Sequence, residues 1–208
     1  MTRTETTDWL YRILFESRFS GMGKYYACEV TLDTGTISPR RIDVLQFVPP
    51  RATYIGDIEK GEFICYEVKS CLEDIMSGHG LNFIGEKNYI VTTLDTYKKF
   101  LEKIAPRDEE NTFFSWYNKD RPWDVQRDFG VMIACPKGVR VQTYFAEPEK
   151  YADIPEDDPS RWSMQIARSV NPLPRKRSTT ELLFCMLRAK ENYSTTSKET
   201  SDAPKTKA

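Results

Sequence analysis

Apolar and polar positions follow two rhythms along this chain. Trp9, Leu10, Ile13 and Leu14 recur at helical spacing behind Thr6, Thr7 and Asp8, whose side chains can cap, so the pattern predicts an amphipathic helix over 8–19 ended by Gly21 and Gly23. At about 100° per residue Glu16 lies roughly 60° from Ile13 and borders the apolar stripe, from which it could look inward. Tyr25–Leu32 alternates as a strand does and runs into the turn Asp33-Thr34-Gly35. A second strand over 40–48 is stopped by Pro49 and Pro50, and after a polar loop a third spans 62–69.

Ser70–Ser77 suits a short helix and Asn88–Thr93 a fourth strand. Thr93 or Asp95 then caps a helix with Tyr97, Phe100, Leu101 and Ile104 on its apolar face, ended by Pro106. A strand, a crossing helix and another strand imply partly parallel pairing. Residues 107–128 are polar with interspersed aromatics and read as an insertion that packs by its rings and need not be regular structure. Gly130–Cys135 and Val139–Phe145 predict a hairpin around Pro136-Lys137-Gly138, followed by an acidic loop over 147–159. Ser178-Thr179-Thr180-Glu181 has the form of a capping box, and Leu182, Leu183, Met186 and Leu187 stripe the helix behind it. One domain over 1–193 is expected, with a core at about 8–105, an extension over 106–193, and a disordered tail over 194–208 of Ser, Thr, Lys, Glu and Pro.

Composition narrows the function classes. A net charge of -1 offers no global attraction to nucleic acid, so any basic surface must be local. No apolar run is long enough for a membrane span, and the start lacks the apolar segment of a signal peptide, so a cytoplasmic protein is expected. Five cysteines without a Cys-x-x-Cys pair argue against both a disulfide framework and, with a single histidine, a structural zinc site.

The unusual feature is charge inside two apolar strands. Alternation places Phe63, Cys65, Glu67 and Lys69 on one face, and Asp43 sits on the preceding strand, which should pair with it as a hairpin. Two converging carboxylates suit a hard divalent cation, Mg2+ or Mn2+, and Lys69 within reach could orient or deprotonate an attacking water or stabilise transition-state charge. The structural alternative is an edge ion pair of Asp43 with Arg41 or Lys69, with Glu67 facing solvent. Secondary candidates are Ser70, as substrate contact or helix cap, and His79 between Gly78 and Gly80. Arg175, Lys176 and Arg177 could meet phosphates, or they form a solvated linker.

The order of a helix with Glu16, a strand, Arg41-Ile42-Asp43-Val44 and then Tyr66-Glu67-Val68-Lys69-Ser70 resembles the PD-(D/E)XK nuclease superfamily. More narrowly, Glu29, Ile42-Asp43-Val44, Glu67-Val68-Lys69-Ser70 and Asp74 resemble the MmcB-like DNA-repair family, and Gly78–Gly85 with Asn88-Tyr89 is similar to its phage-encoded and prophage-encoded relatives. The resemblance covers about 8–105 and, weakly, the expected hairpin over 130–145. It implies an α/β fold with a restriction-endonuclease-like mixed β-sheet core flanked by helices, the hairpin and last helix being C-terminal to it. It also implies a Mg2+-dependent or Mn2+-dependent endonuclease acting on DNA, in the host cytoplasm if phage-encoded, with Asp43 and Glu67 as metal ligands, Lys69 catalytic, and Glu16 or Glu29 as auxiliary acid. Duplex-cutting enzymes are commonly homodimers. The competing expectation is a nucleic-acid-binding or protein-binding accessory module that keeps the fold without turnover.

Overall fold

The computed structural model describes residues 1–50, 55–104, 112–156 and 158–189. Its centre is a six-stranded mixed sheet in chain order: β1 (Tyr25–Leu32), β2 (Arg40–Val48), β3 (Glu62–Val68), β4 (Lys87–Thr92), β5 (Gly130–Pro136) and β6 (Trp162–Arg168). The first three strands form an antiparallel meander, β3, β4 and β5 run parallel, and β6 returns antiparallel to β5. Parallel neighbours need crossovers. The crossing helices are α2 (Leu72–Met76) between β3 and β4, and α3 (Leu94–Ile104) with α4 (Thr112–Asn118) between β4 and β5.

Both faces of the sheet are covered, which the strand patterns explain. In β3, Ile64, Tyr66 and Val68 pack beneath α1 (Arg3–Leu14) with Trp9, Leu10, Ile13 and Leu14, while Phe63 and Cys65 point to the other side. There α3 and α4 bury Phe100 and Tyr117 against Phe83, Phe129, Val131 and Ile133, and α6 (Thr179–Arg188) lays Leu182 onto Val30, Leu45 and Phe47. The alternation expected for β3 is thus realised, and each face buries its own apolar set.

Several elements differ from expectation. The first helix begins at Arg3, because Thr2 and Glu5 form a reciprocal capping box: Thr2 Oγ1 accepts from the Glu5 amide and the Thr2 amide donates to Glu5 Oε2. After Leu14 the coil widens into a π-helical turn, Phe15–Phe19, so Glu16 slips out of phase with the apolar stripe and is exposed. The expected hairpin over 130–145 is not formed. Val141 and Tyr144, spaced i and i+3, pack as one face of a short helix α5 (Val141–Ala146), and the antiparallel partner of β5 is β6, whose Trp162 and Met164 are buried. Part of the aromatic insertion is regular structure, α4, and its Phe113, Trp116 and Tyr117 join the core while Trp123 stays exposed. Ser178 Oγ accepts from the Glu181 amide as the capping pattern requires, although Leu187 projects into solvent. The Pro106 stop and the tail beyond Tyr193 lie outside the described residues.

The basic run before α6 is part of the framework. The Arg175 guanidinium donates to the carbonyls of Gly61 and Glu59 and pairs with Glu86, whose other carboxylate oxygen accepts from the Phe63 amide. Arg177 bridges Asp33 and Glu181 at 2.8 and 2.6 Å. Lys176 is left exposed between them. A half-buried carboxylate stripped of its cation, together with two lost carbonyl contacts, is costly, so Arg175→Met is expected to lower stability by about 1–3 kcal/mol in urea unfolding. An unchanged midpoint would show that Arg175 is a surface residue in practice.

Candidate active site in the cleft where β2 and β3 part

The sheet opens at the end where β3 finishes. The β2–β3 ladder stops at Val44 and Tyr66, and the β1–β2 pairing skips Glu29 and Asp43. Glu29 sits at φ +53°, a left-handed conformation that a non-glycine residue adopts at a cost, and the irregularity turns both carboxylates out of their strands. The amide of Val68, no longer used by the β2–β3 ladder, donates to Asp43 Oδ2 at 2.8 Å. The next residue is fixed from the opposite strand, since the Lys69 amide donates to Val91 O and Lys69 O accepts from Thr92 Oγ1 at 2.6 Å. Backbone bonds on both sides therefore aim Glu67 and Lys69 into the opening.

The opening is a cleft of about 600 Å³ whose walls include Asp43, Lys69, Tyr11, Glu29, Arg41 and the loop over 77–82. It lies at the carboxyl ends of the parallel strands β3 and β4, the usual place for a site in such sheets. Glu67, just beneath its lining beside Gly80, is 0% exposed. Its Oε1 accepts from the Asn82 amide at 3.3 Å, and its Oε2 is buried with no hydrogen-bond partner. Burial, followed by the neighbouring Asp43 charge, pushes the Glu67 carboxyl well above its ordinary range despite Lys69. Burial also raises Asp43, against the opposing pull of Lys69, and the two carboxyls face one another as a pair. Lys69 is itself only 9% exposed.

Gly80 closes the floor. At φ +70° it turns the loop tightly enough that a Cβ there would stand 3.0 Å from Lys69 Nζ and 3.9 Å from Glu67 Oε2. Only glycine leaves that space open without strain. Gly80→Ala is expected to destabilise the fold by only about 1–2 kcal/mol, through its left-handed backbone. The added methyl would also crowd the Lys69 ammonium away from Glu67. An unchanged urea midpoint in this variant would show that the loop accommodates a side chain at position 80 without strain.

The structure sorts the sequence candidates. Asp43, Glu67, Lys69, Glu29 and His79 meet at one cleft. Arg41 pairs with Glu29 at 2.7 Å, and Glu67 is shut away from solvent, so the simple edge ion pair with an exposed Glu67 does not describe the strands. Glu16 lines a different depression with Arg18, Lys137 and Gln165. Ser70 does not cap α2, where Cys71 holds the N-cap position, and its hydroxyl is buried. Arg175 and Arg177 are engaged elsewhere. Two contributors had no role assigned from the sequence: Tyr11, and Asn82, whose Nδ2 also ties the loop to Arg41 O at 2.7 Å. A signal for the first was available, since Arg3, Thr7 and Tyr11 recur every fourth residue and all line the cleft.

These residues can hold a divalent cation in one way. Among the described residues no three His, Cys, Asp or Glu side chains make a ready protein cage. A buried carboxylate oxygen without a partner beside a second carboxylate does match a hard cation that keeps several of its waters. No family model, curated protein or solved structure matches the chain.

Proposed function

We propose that this chain is a divalent-cation-dependent nuclease that hydrolyses DNA phosphodiester bonds, built on a restriction-endonuclease-like core. The observation that carries the reading is Glu67, a fully buried carboxylate with one oxygen unpartnered, set beside Asp43 and Lys69 just beneath the lining of an open cleft. Such a group lowers stability unless a cation completes it. A mixed sheet flanked by helices supports the same reading, since the resemblance implies such a core. DNA as substrate, and a place in repair or in a phage or prophage, rest on that resemblance alone.

Asp43 and Glu67 hold the cation. Bound there, Mg2+ or Mn2+ supplies Lewis-acid polarisation of a phosphoryl oxygen and a template for the reacting groups. The Lys69 ammonium, fixed through its backbone to β4, orients the water and stabilises the negative charge that grows on the phosphoryl oxygens. Glu29 is the auxiliary acid at the same cleft, held outward by Arg41. Incubation of supercoiled plasmid and of single-stranded oligonucleotides with the protein in Mg2+ or Mn2+ tests the reading. Nicking or shortening that EDTA abolishes is the expected result. Binding insensitive to either metal, with no cleavage of any form, would instead assign the chain to the non-catalytic accessory class.

A further inference from the structure

Among the polar side chains of the cleft that the nuclease reading does not use, Tyr11 is the one set against its carboxylates. Tyr11 stands on α1, one turn after Thr7 and two after Arg3, and this polar stripe forms the wall of the cleft facing β1 and β2. Its ring is stacked with Phe15, centroids 6.2 Å apart at 21°, so the direction of the phenol is set by packing. The charges that bear on its hydroxyl are first Asp43 and then Glu29, with Glu67 more weakly. Phe15 and Phe19 continue the aromatic series along the helix into the core without hydroxyls; position 11 carries one where the wall meets the carboxylates.

Resting on the nuclease reading, we propose that Tyr11 is a positioning residue of the metal site: its hydroxyl, presented by α1 to the Asp43 and Glu29 carboxylates, holds Asp43 in the orientation that a cation needs. Asp43 has one oxygen fixed by the Val68 amide from the sheet side. A donor on the helix side fixes the plane of the carboxylate and leaves its remaining lone pairs toward Glu67. A phenol is protonated at neutral pH and can donate to a carboxylate. Outer partners that orient a metal-binding carboxylate commonly set affinity or activity by a factor of about 10–100.

The test compares wild type, Tyr11→Phe and Phe15→Leu in the full chain, measuring Mn2+ affinity by titration calorimetry, plasmid cleavage, and the thermal midpoint. Tyr11→Phe is expected to keep the midpoint while Mn2+ binding weakens about tenfold or more and kcat falls with KM little changed. Phe15→Leu, which loosens the ring pair that directs the phenol but keeps the hydroxyl, is expected to lower the midpoint and to weaken Mn2+ binding less than Tyr11→Phe; an equal or larger loss of affinity in Phe15→Leu would show that ring packing, not the hydroxyl, matters. Tyr11→Phe with Mn2+ affinity and kcat within about twofold of wild type would overturn the positioning role while leaving the nuclease reading intact. A wild-type protein that neither binds Mn2+ nor cuts would overturn both.

Discussion

Lys69→Met is expected to abolish cleavage, by about a hundredfold or more in kcat, while Mn2+ still binds and the protein stays folded. The expectation follows from how Lys69 is held. Its main chain is pinned to β4 by the Val91 carbonyl and the Thr92 hydroxyl, independently of the side chain, so removing the ammonium leaves the strand end in place. Methionine keeps most of the apolar stem that packs in this nearly closed position. With the cation gone, growing negative charge at phosphorus loses a donor in a low-dielectric cleft, where such donors matter most. Asp43→Ala is expected to cut cleavage as strongly but by another route, losing metal binding as well. The two variants therefore separate holding the ion from stabilising charge. Near-wild-type cleavage in Asp43→Ala would sink the site assignment.

The second large effect is on stability. Glu67 is buried, and burial together with the Asp43 charge raises its carboxyl well above the unfolded value near 4.5. The folded metal-free protein therefore holds a proton that the unfolded chain releases. Stability from this group is fully present below pH 4.5 and is lost as pH rises toward the elevated folded value. Glu67→Gln keeps the shape, removes the titration and should raise stability near neutral pH in EDTA by on the order of 1–3 kcal/mol, with little change at acid pH. The same variant should lose cleavage. Chemical unfolding across pH checks both limbs, and a destabilised Glu67→Gln at neutral pH would show that the carboxylate is compensated in the resting protein. Added Mg2+ should narrow the gap by stabilising wild type and not the variant.

Much of this arrangement could be read from local pattern. The strands β1 to β4, the β2–β3 hairpin and the α3 stripe followed directly from alternation and i, i+3, i+4 spacing, because each element buries an apolar set of its own. Asp43, Glu67 and Lys69 stood out because charge interrupts those sets. What failed was read beyond the range of local signals. Glu16 was placed by extending an ideal helix through Phe15–Phe19, where the π-helical turn changes the phase. The hairpin over 130–145 failed because nearest-neighbour pairing is only a tendency, and β6 lies about thirty residues after β5 in the chain. Arg175 and Arg177 looked like a phosphate-binding run, but their partners Glu86 and Asp33 are distant in sequence. Glu29 could not be separated from Glu16 without knowing that β1 bends at that position.

The central claim is that Asp43 and Glu67 jointly complete one divalent-cation site, and Mn2+ binding followed by electron paramagnetic resonance tests it most directly. Saturable binding to wild type that is lost in both Asp43→Asn and Glu67→Gln, each with an intact thermal transition, is the predicted result. Saturable Mn2+ binding that persists unchanged in both variants, or none to wild type, would contradict it.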